Sequence, residues 1–123
     1  MTSTQFFAVT AGMEVGAGLT LMMAPAVVIR LLFGPSEVQT GVAIGRLAGA
    51  ALVSLGAACW WARDDAGSAA SRGLVGSLLI YNATVVALAF SGSFGSVGPL
   101  IWAVVLVHLA MAVWCVWLLR AGR

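Results

Sequence analysis

Apolar residues fill four stretches of this chain, 5–24, 40–62, 73–90 and 99–119, and polar residues gather between them. At a rise of about 1.5 Å per residue, a helix through such a stretch matches the roughly 30 Å hydrocarbon core of a bilayer. The pattern predicts an all-α fold: a four-helix transmembrane bundle forming one integral membrane domain over 1–123. Pro25 interrupts it first, removing a backbone donor and disfavouring helical geometry at Ala24. The following 26–33, AVVIRLLF, is too short to span and carries Arg30, so a short interfacial helix is expected after the first span, closed by Gly34, Pro35 and Ser36. Glu37 then reads as a loop acid.

The remaining connections are shorter still. Asp, Gly and Ser residues make 63–72, RDDAGSAASR, a polar turn, and 91–98, SGSFGSVG, is a Gly/Ser turn after which Pro99 suits the first position of the last helix. Trp60, Trp61, Trp102, Trp114 and Trp117 lie near run ends, where aromatic side chains anchor spans at the interface. Glycines mark the packing faces. Gly12 and Gly16 form a GxxxG pair, Gly18 follows Glu14 by one turn, and Gly41, Gly45 and Gly49 share one face of the second run, with Gly56 beyond. These are more close-packing faces than one bundle needs, so a homo-oligomer or a place in a membrane complex is expected.

Against this background each run carries a strongly polar residue: Glu14, Arg46, Asn82 with Tyr81 beside it, and His108. An arginine near a span centre costs about 2.5 to 3.5 kcal/mol to insert, so Arg46 requires a partner or water. It shares a face with the small residues Ala50, Val53 and Ala57, which points it toward a crevice roughly 9 Å below the outer surface. From there it can reach Glu14 or snorkel outward. An ion pair with Glu14 is the natural expectation, either fixing helix packing or tuning a carboxylate that binds a proton or cation. Tyr81 and Asn82 project about 100° apart, and Asn82 needs an amide partner at membrane depth. His108 reads as a neutral ring bonded to Asn82 or Glu14, as a proton relay, or as an axial ligand to a haem completed from elsewhere. Being the chain's one histidine, it excludes a multi-histidine metal site. Cys59 and Cys115 lack CxxC spacing and read as small apolar residues, so no metal and no cofactor are expected.

Composition closes off whole classes. With 62% apolar and 8% charged residues and a mean hydropathy of +1.07, no water-soluble fold could hide this much apolar surface. The net charge of +2 comes from six scattered arginines against four acids, which does not suit nucleic acid. The first 24 residues do not read as a signal peptide, because their start lacks Arg and Lys and Glu14 interrupts the apolar run. Arg63, Arg72, Arg120 and Arg123 fall on one side of a four-span topology and Arg30 on the other, which predicts both termini in the cytoplasm of a bacterial cell with the chain in its inner membrane.

The segment GMEVGAGLTLMM resembles the first helix of small multidrug resistance transporters, four-helix proteins whose embedded glutamate exchanges protons for cationic substrates. That resemblance stops with the helix, since the third run lacks the family's Gly-rich interface motif and Arg46 and His108 depart from its pattern. LFGP, GRLAGAALVSLGAACWWAR, LLIYN and LVHLAMAVWC together resemble small four-helix bacterial membrane proteins, loosely the DoxX-like group, a resemblance that implies topology and no particular activity. Two functions follow. In the first, Glu14, Arg46, Asn82, His108 and Tyr81 bind, and pass, a proton or a small polar or cationic solute. In the second, the protein is a structural or accessory subunit and the polar residues only fix helix packing. An enzyme ranks below both, because no nucleophile and base stand at a recognisable spacing.

Overall fold

The computed structural model describes residues 2–65, 67–92, 94 and 97–121, and the described residues form helices without a strand. The helices are α1 (Ser3–Met23), α2 (Pro25–Phe33), α3 (Val38–Ala62), α4 (Ala69–Phe90) and α5 (Ile101–Ala121), with single 3₁₀ turns at Pro35–Glu37 and Arg63–Asp65. Arg123, counted above for orientation, lies outside the described residues, as do parts of both later loops. Local chemistry sets the helix ends. Thr2 and Gln5 form a reciprocal capping box at the start of α1, and Ser68 caps α4 through the Ser71 amide. Pro25 ends α1 and opens α2 at the position where its missing donor costs nothing. Gly34, at φ 92°, turns the chain out of α2 in a conformation that other residues rarely adopt.

Four helices, α1, α3, α4 and α5, are long and apolar enough to cross a membrane, and the chain is a multi-pass membrane protein of the all-α bundle type. Their outer faces are as apolar as their inner ones: Leu47 on α3 is 73% exposed and Ile80 on α4 is 70% exposed. Such surfaces are stable against acyl chains and not against water. Trp61, Trp102 and Trp117 are exposed near helix ends, as interfacial anchors require. Trp60 has a further partner, because the Arg63 guanidinium lies 3.5 Å from its ring centroid.

Within lipid there is no hydrophobic drive between helices, so association depends on shape. The glycines of α3 provide it, for two partners in turn. A methyl group at Gly49 would stand 2.6 Å from the Gly18 carbonyl oxygen, and one at Gly56 would stand 2.7 Å from a Val15 methyl. Helix α1 therefore lies antiparallel along α3 with backbone nearly touching backbone. Further along, Gly41 and Gly45 seat Ile29 of α2. By contrast Gly12 and Gly16, expected to pack, meet nothing within 4 Å, since their face of α1 turns away from α3.

Helices α4 and α5 form a second antiparallel pair. The two pairs meet at the end that holds Phe6, Phe7, Cys59, Leu78 and Cys115, all essentially fully buried. There Phe6 packs edge-on against Phe7 and Trp114, with ring centroids 5.6 and 5.2 Å away. At the other end α2 lies between the pairs. Two of its last carbonyls are taken by the loop between α4 and α5: Gly98 N–H donates to Leu32 O at 2.7 Å and Leu100 N–H to Leu31 O at 3.1 Å. A side chain at Gly98 would collide with the Leu31 carbonyl. Because of this docking Pro99 sits in the turn, and α5 begins at Ile101 rather than at Pro99 as expected.

Replacing Gly49 with Val is expected to cost about 1 to 3 kcal/mol or more, since neither backbone can retreat. Gly12→Ala should stay within about 1 kcal/mol of the parent. Thermal unfolding of both variants in the same detergent checks the contrast, and equal stabilities would contradict the α1–α3 contact.

Candidate functional site

Between the two helix pairs, beyond the aromatic core, lies a cavity of about 430 Å³. One face of each spanning helix lines it. Met13, Glu14, Ala17 and Leu21 follow the helical period on α1, Tyr81 and Val85 stand one turn apart on α4, and Ile101, Val104 and His108 stand one turn apart on α5. Leu52 closes it from α3, and Val28, Leu32 and Phe33 of α2 cover it together with Phe94. The walls are almost wholly apolar, and apart from Thr20, whose hydroxyl donates to the Gly16 carbonyl, the exceptions collect at mid-depth. Glu14, Tyr81 and His108 come from three different helices, and the Tyr81 and His108 rings meet edge to face at 5.5 Å. A smaller cavity of about 30 Å³ adjoins this floor and is lined by Thr10, Glu14, Asn82 and His108 among others.

Of the five polar positions expected to converge, the structure thus brings together Glu14, Tyr81, Asn82 and His108. Arg46 stays apart. It is exposed and lines neither cavity, and among the described residues it forms no ion pair with Glu14. Two geometric facts explain this. Gly45, its neighbour, faces Leu21, so Arg46 stands about two helical turns along the bundle from Glu14, roughly 10 Å. It also lies one position round from the glycine face that α1 occupies, which turns it outward rather than into the expected crevice of small residues.

The hydrogen bonds are local where bonds across helices were expected. Asn82 is buried, and its amide nitrogen donates to Leu78 O, one turn back on its own helix, at 2.7 Å. Thr10 and Thr20 likewise donate to Phe6 O and Gly16 O at 2.8 Å. His108 Nδ1 lies 2.8 Å from Val104 O, not near a bonding partner on Asn82 or Glu14. A carbonyl oxygen only accepts, so Nδ1 carries a proton, and whenever the ring is neutral Nε2 is then an acceptor. The floor consequently combines an imidazole acceptor, a carboxyl group and a phenol, and it suits a guest that brings hydrogen-bond donors or positive charge. Among the described residues no group of three or more His, Cys, Asp or Glu side chains is placed to hold a metal ion. No family model, curated protein or solved structure matches the chain.

Sequence reasoning missed the roof. Phe33 and Phe94, with ring centroids 5.3 Å apart, contribute to the cavity together with Val28 and Leu32 of α2. The available signal was the i, i+4 spacing of Val28 and Leu32 on a segment too short to span.

Nitrogen NMR of protein labelled at His108, at a pH where the ring is neutral, should show the proton on Nδ1. A ring protonated on Nε2 would remove the Val104 bond and reverse the hydrogen-bonding character of the floor.

Proposed function

We propose that this protein binds a small molecule carrying positive charge or hydrogen-bond donors inside the membrane, with Glu14 as the group that holds it and exchanges it for a proton. The observation that carries this reading is that Glu14, Tyr81 and His108, from three helices, share one otherwise apolar cavity. Its volume lies in the range of small-molecule sites, and an acid at membrane depth is a functional group by default. A carboxyl group facing such a cavity is neutralised by a proton or by a cationic guest, so the two compete. Transport of the guest is the natural extension, and the placement goes with it: a bacterial inner membrane, with Arg63, Arg72 and Arg120 at the cytoplasmic end.

The alternative is an accessory subunit whose polar residues tie the bundle together. Its support weakens because Asn82 and His108 bond within their own helices and Arg46 leaves Glu14 unpaired with it. Among the described residues these groups form no hydrogen bond or ion pair from one helix to another, and their one contact between helices is the edge-to-face approach of His108 to Tyr81.

Hexylamine binding to the purified protein in lipid nanodiscs tests the choice. The parent should bind saturably, and more tightly as protons are removed from competition. Glu14→Gln should lose about tenfold in affinity, the scale of one charge-assisted hydrogen bond. A Gln variant with unchanged binding refutes the ligand reading. One that shows only a lower melting temperature, with no binding in the parent, supports the accessory role.

A further inference from the structure

The site is closed at both ends and open at the side. At one end Phe6, Phe7, Leu78 and Cys115 fill the space between the helix pairs. At the other, α2 is tied down by the backbone bonds from Gly98 and Leu100. Helices α3 and α4 are not close-packed against each other, and a larger cavity, of about 680 Å³, runs along α3, walled by α2 and by Tyr81 of α4. Leu21, Leu32, Phe33, Leu52, Tyr81 and Phe94 line both cavities, so the two meet at a shared wall of side chains. On its outer side the larger cavity is bounded by Ile44 and Ala48, which are exposed on the membrane-facing surface of α3, and toward the start of α3 by the polar Glu37 and Thr40.

We infer that the ligand is a single-chain amphiphile drawn from the bilayer, whose donor head rests on Glu14, Tyr81 and His108 and whose apolar chain leaves sideways between α3 and α4 through the larger cavity. This deepens the proposed binding function and rests on it. The head follows from the floor: a carboxyl group and a free imidazole nitrogen accept, and neither suits an anionic head such as a fatty acid's carboxylate. The chain follows from the walls. A ligand without an apolar tail would leave the inner cavity and its lateral continuation unfilled, whereas a chain replaces the packing contacts that an empty apolar space forfeits. Lipid offers the chain an equally apolar surrounding, so the exchange between bilayer and cavity is nearly even, and the head supplies the preference. The shared wall is mostly leucine and phenylalanine, side chains that pass between rotamers without breaking hydrogen bonds.

The test compares two probes, hexylamine and dodecylamine, in nanodiscs, with affinities referred to probe concentration in the bilayer. Ala48→Trp and Ile44→Trp fill the outer part of the larger cavity at positions that do not line the inner one, away from Glu14 and His108. Both positions face outward, and melting curves establish that each variant is folded. Each variant should hold hexylamine within about twofold of the parent and lose dodecylamine by about tenfold or more, the penalty for forcing a chain into filled space. Dodecylamine binding equal to the parent's in both folded variants overturns the lateral chain path. So does an equal loss of both amines, because the outer cavity would then belong to the head site. Failure of the parent to bind either amine saturably removes the binding function itself, a result distinguishable from the other two.

Discussion

The close approach of α1 and α3 is the contact on which the rest of the bundle depends. In lipid the helices gain nothing by hiding apolar surface, so only intimate fit holds two spans together. Gly18, Gly49 and Gly56 bring the two backbones so near that a single added methyl group would collide. The first helix pair is thereby fixed as a unit, and its register decides which residues face the second pair. That register turns Phe6 and Phe7 into the core shared with Leu78 and Cys115, and turns Glu14 into the space beyond it. Contact at one end and separation at the other are two consequences of the same packing.

A cavity in this position is a different object from a cavity in a soluble protein. Its walls and the surrounding acyl chains are chemically alike, so apolar matter moves between them at little cost, and discrimination has to come from the few polar groups inside. Here Glu14, Tyr81 and His108 come from three helices and lie at one level, with Thr20 farther along α1. Thr20, Asn82 and the Nδ1 side of His108 are already satisfied by carbonyls of their own helices. What remains to meet a guest is the Glu14 carboxyl group, the Tyr81 hydroxyl and His108 Nε2. The Val104 carbonyl engages Nδ1 of His108, so a neutral ring presents Nε2 to the cavity as an acceptor, a secondary-structure effect that bears on the binding function proposed above.

Much of this was legible in the sequence, and the reasons for the remainder are physical. Run lengths, Pro25 and the Gly34-Pro35 turn located the four spans and the short α2, because hydropathy and backbone restriction are local properties. The polar residues at depth were visible for the same reason. Which of them meet was not. Arg46 and Glu14 looked like partners on grounds of charge, but their separation is set by the register of Gly49 on Gly18, a property of two helices together. Gly12 and Gly16 match a packing motif as well as Gly49 does, and only the face chosen by α1 leaves them open. The roof of the cavity was hidden similarly, since the hydrogen bonds from Gly98 and Leu100 join residues far apart in the chain.

The most direct measurement is magic-angle-spinning NMR on bilayer-embedded protein labelled at the Glu14 carboxyl carbon, the Tyr81 ring oxygen-bearing carbon and His108 Nε2, during titration with hexylamine. If the three side chains form one floor, all three resonances shift along a single saturation curve. Resonances that shift at different concentrations, or a Glu14 response with Tyr81 and His108 unmoved, would contradict a shared intramembrane site.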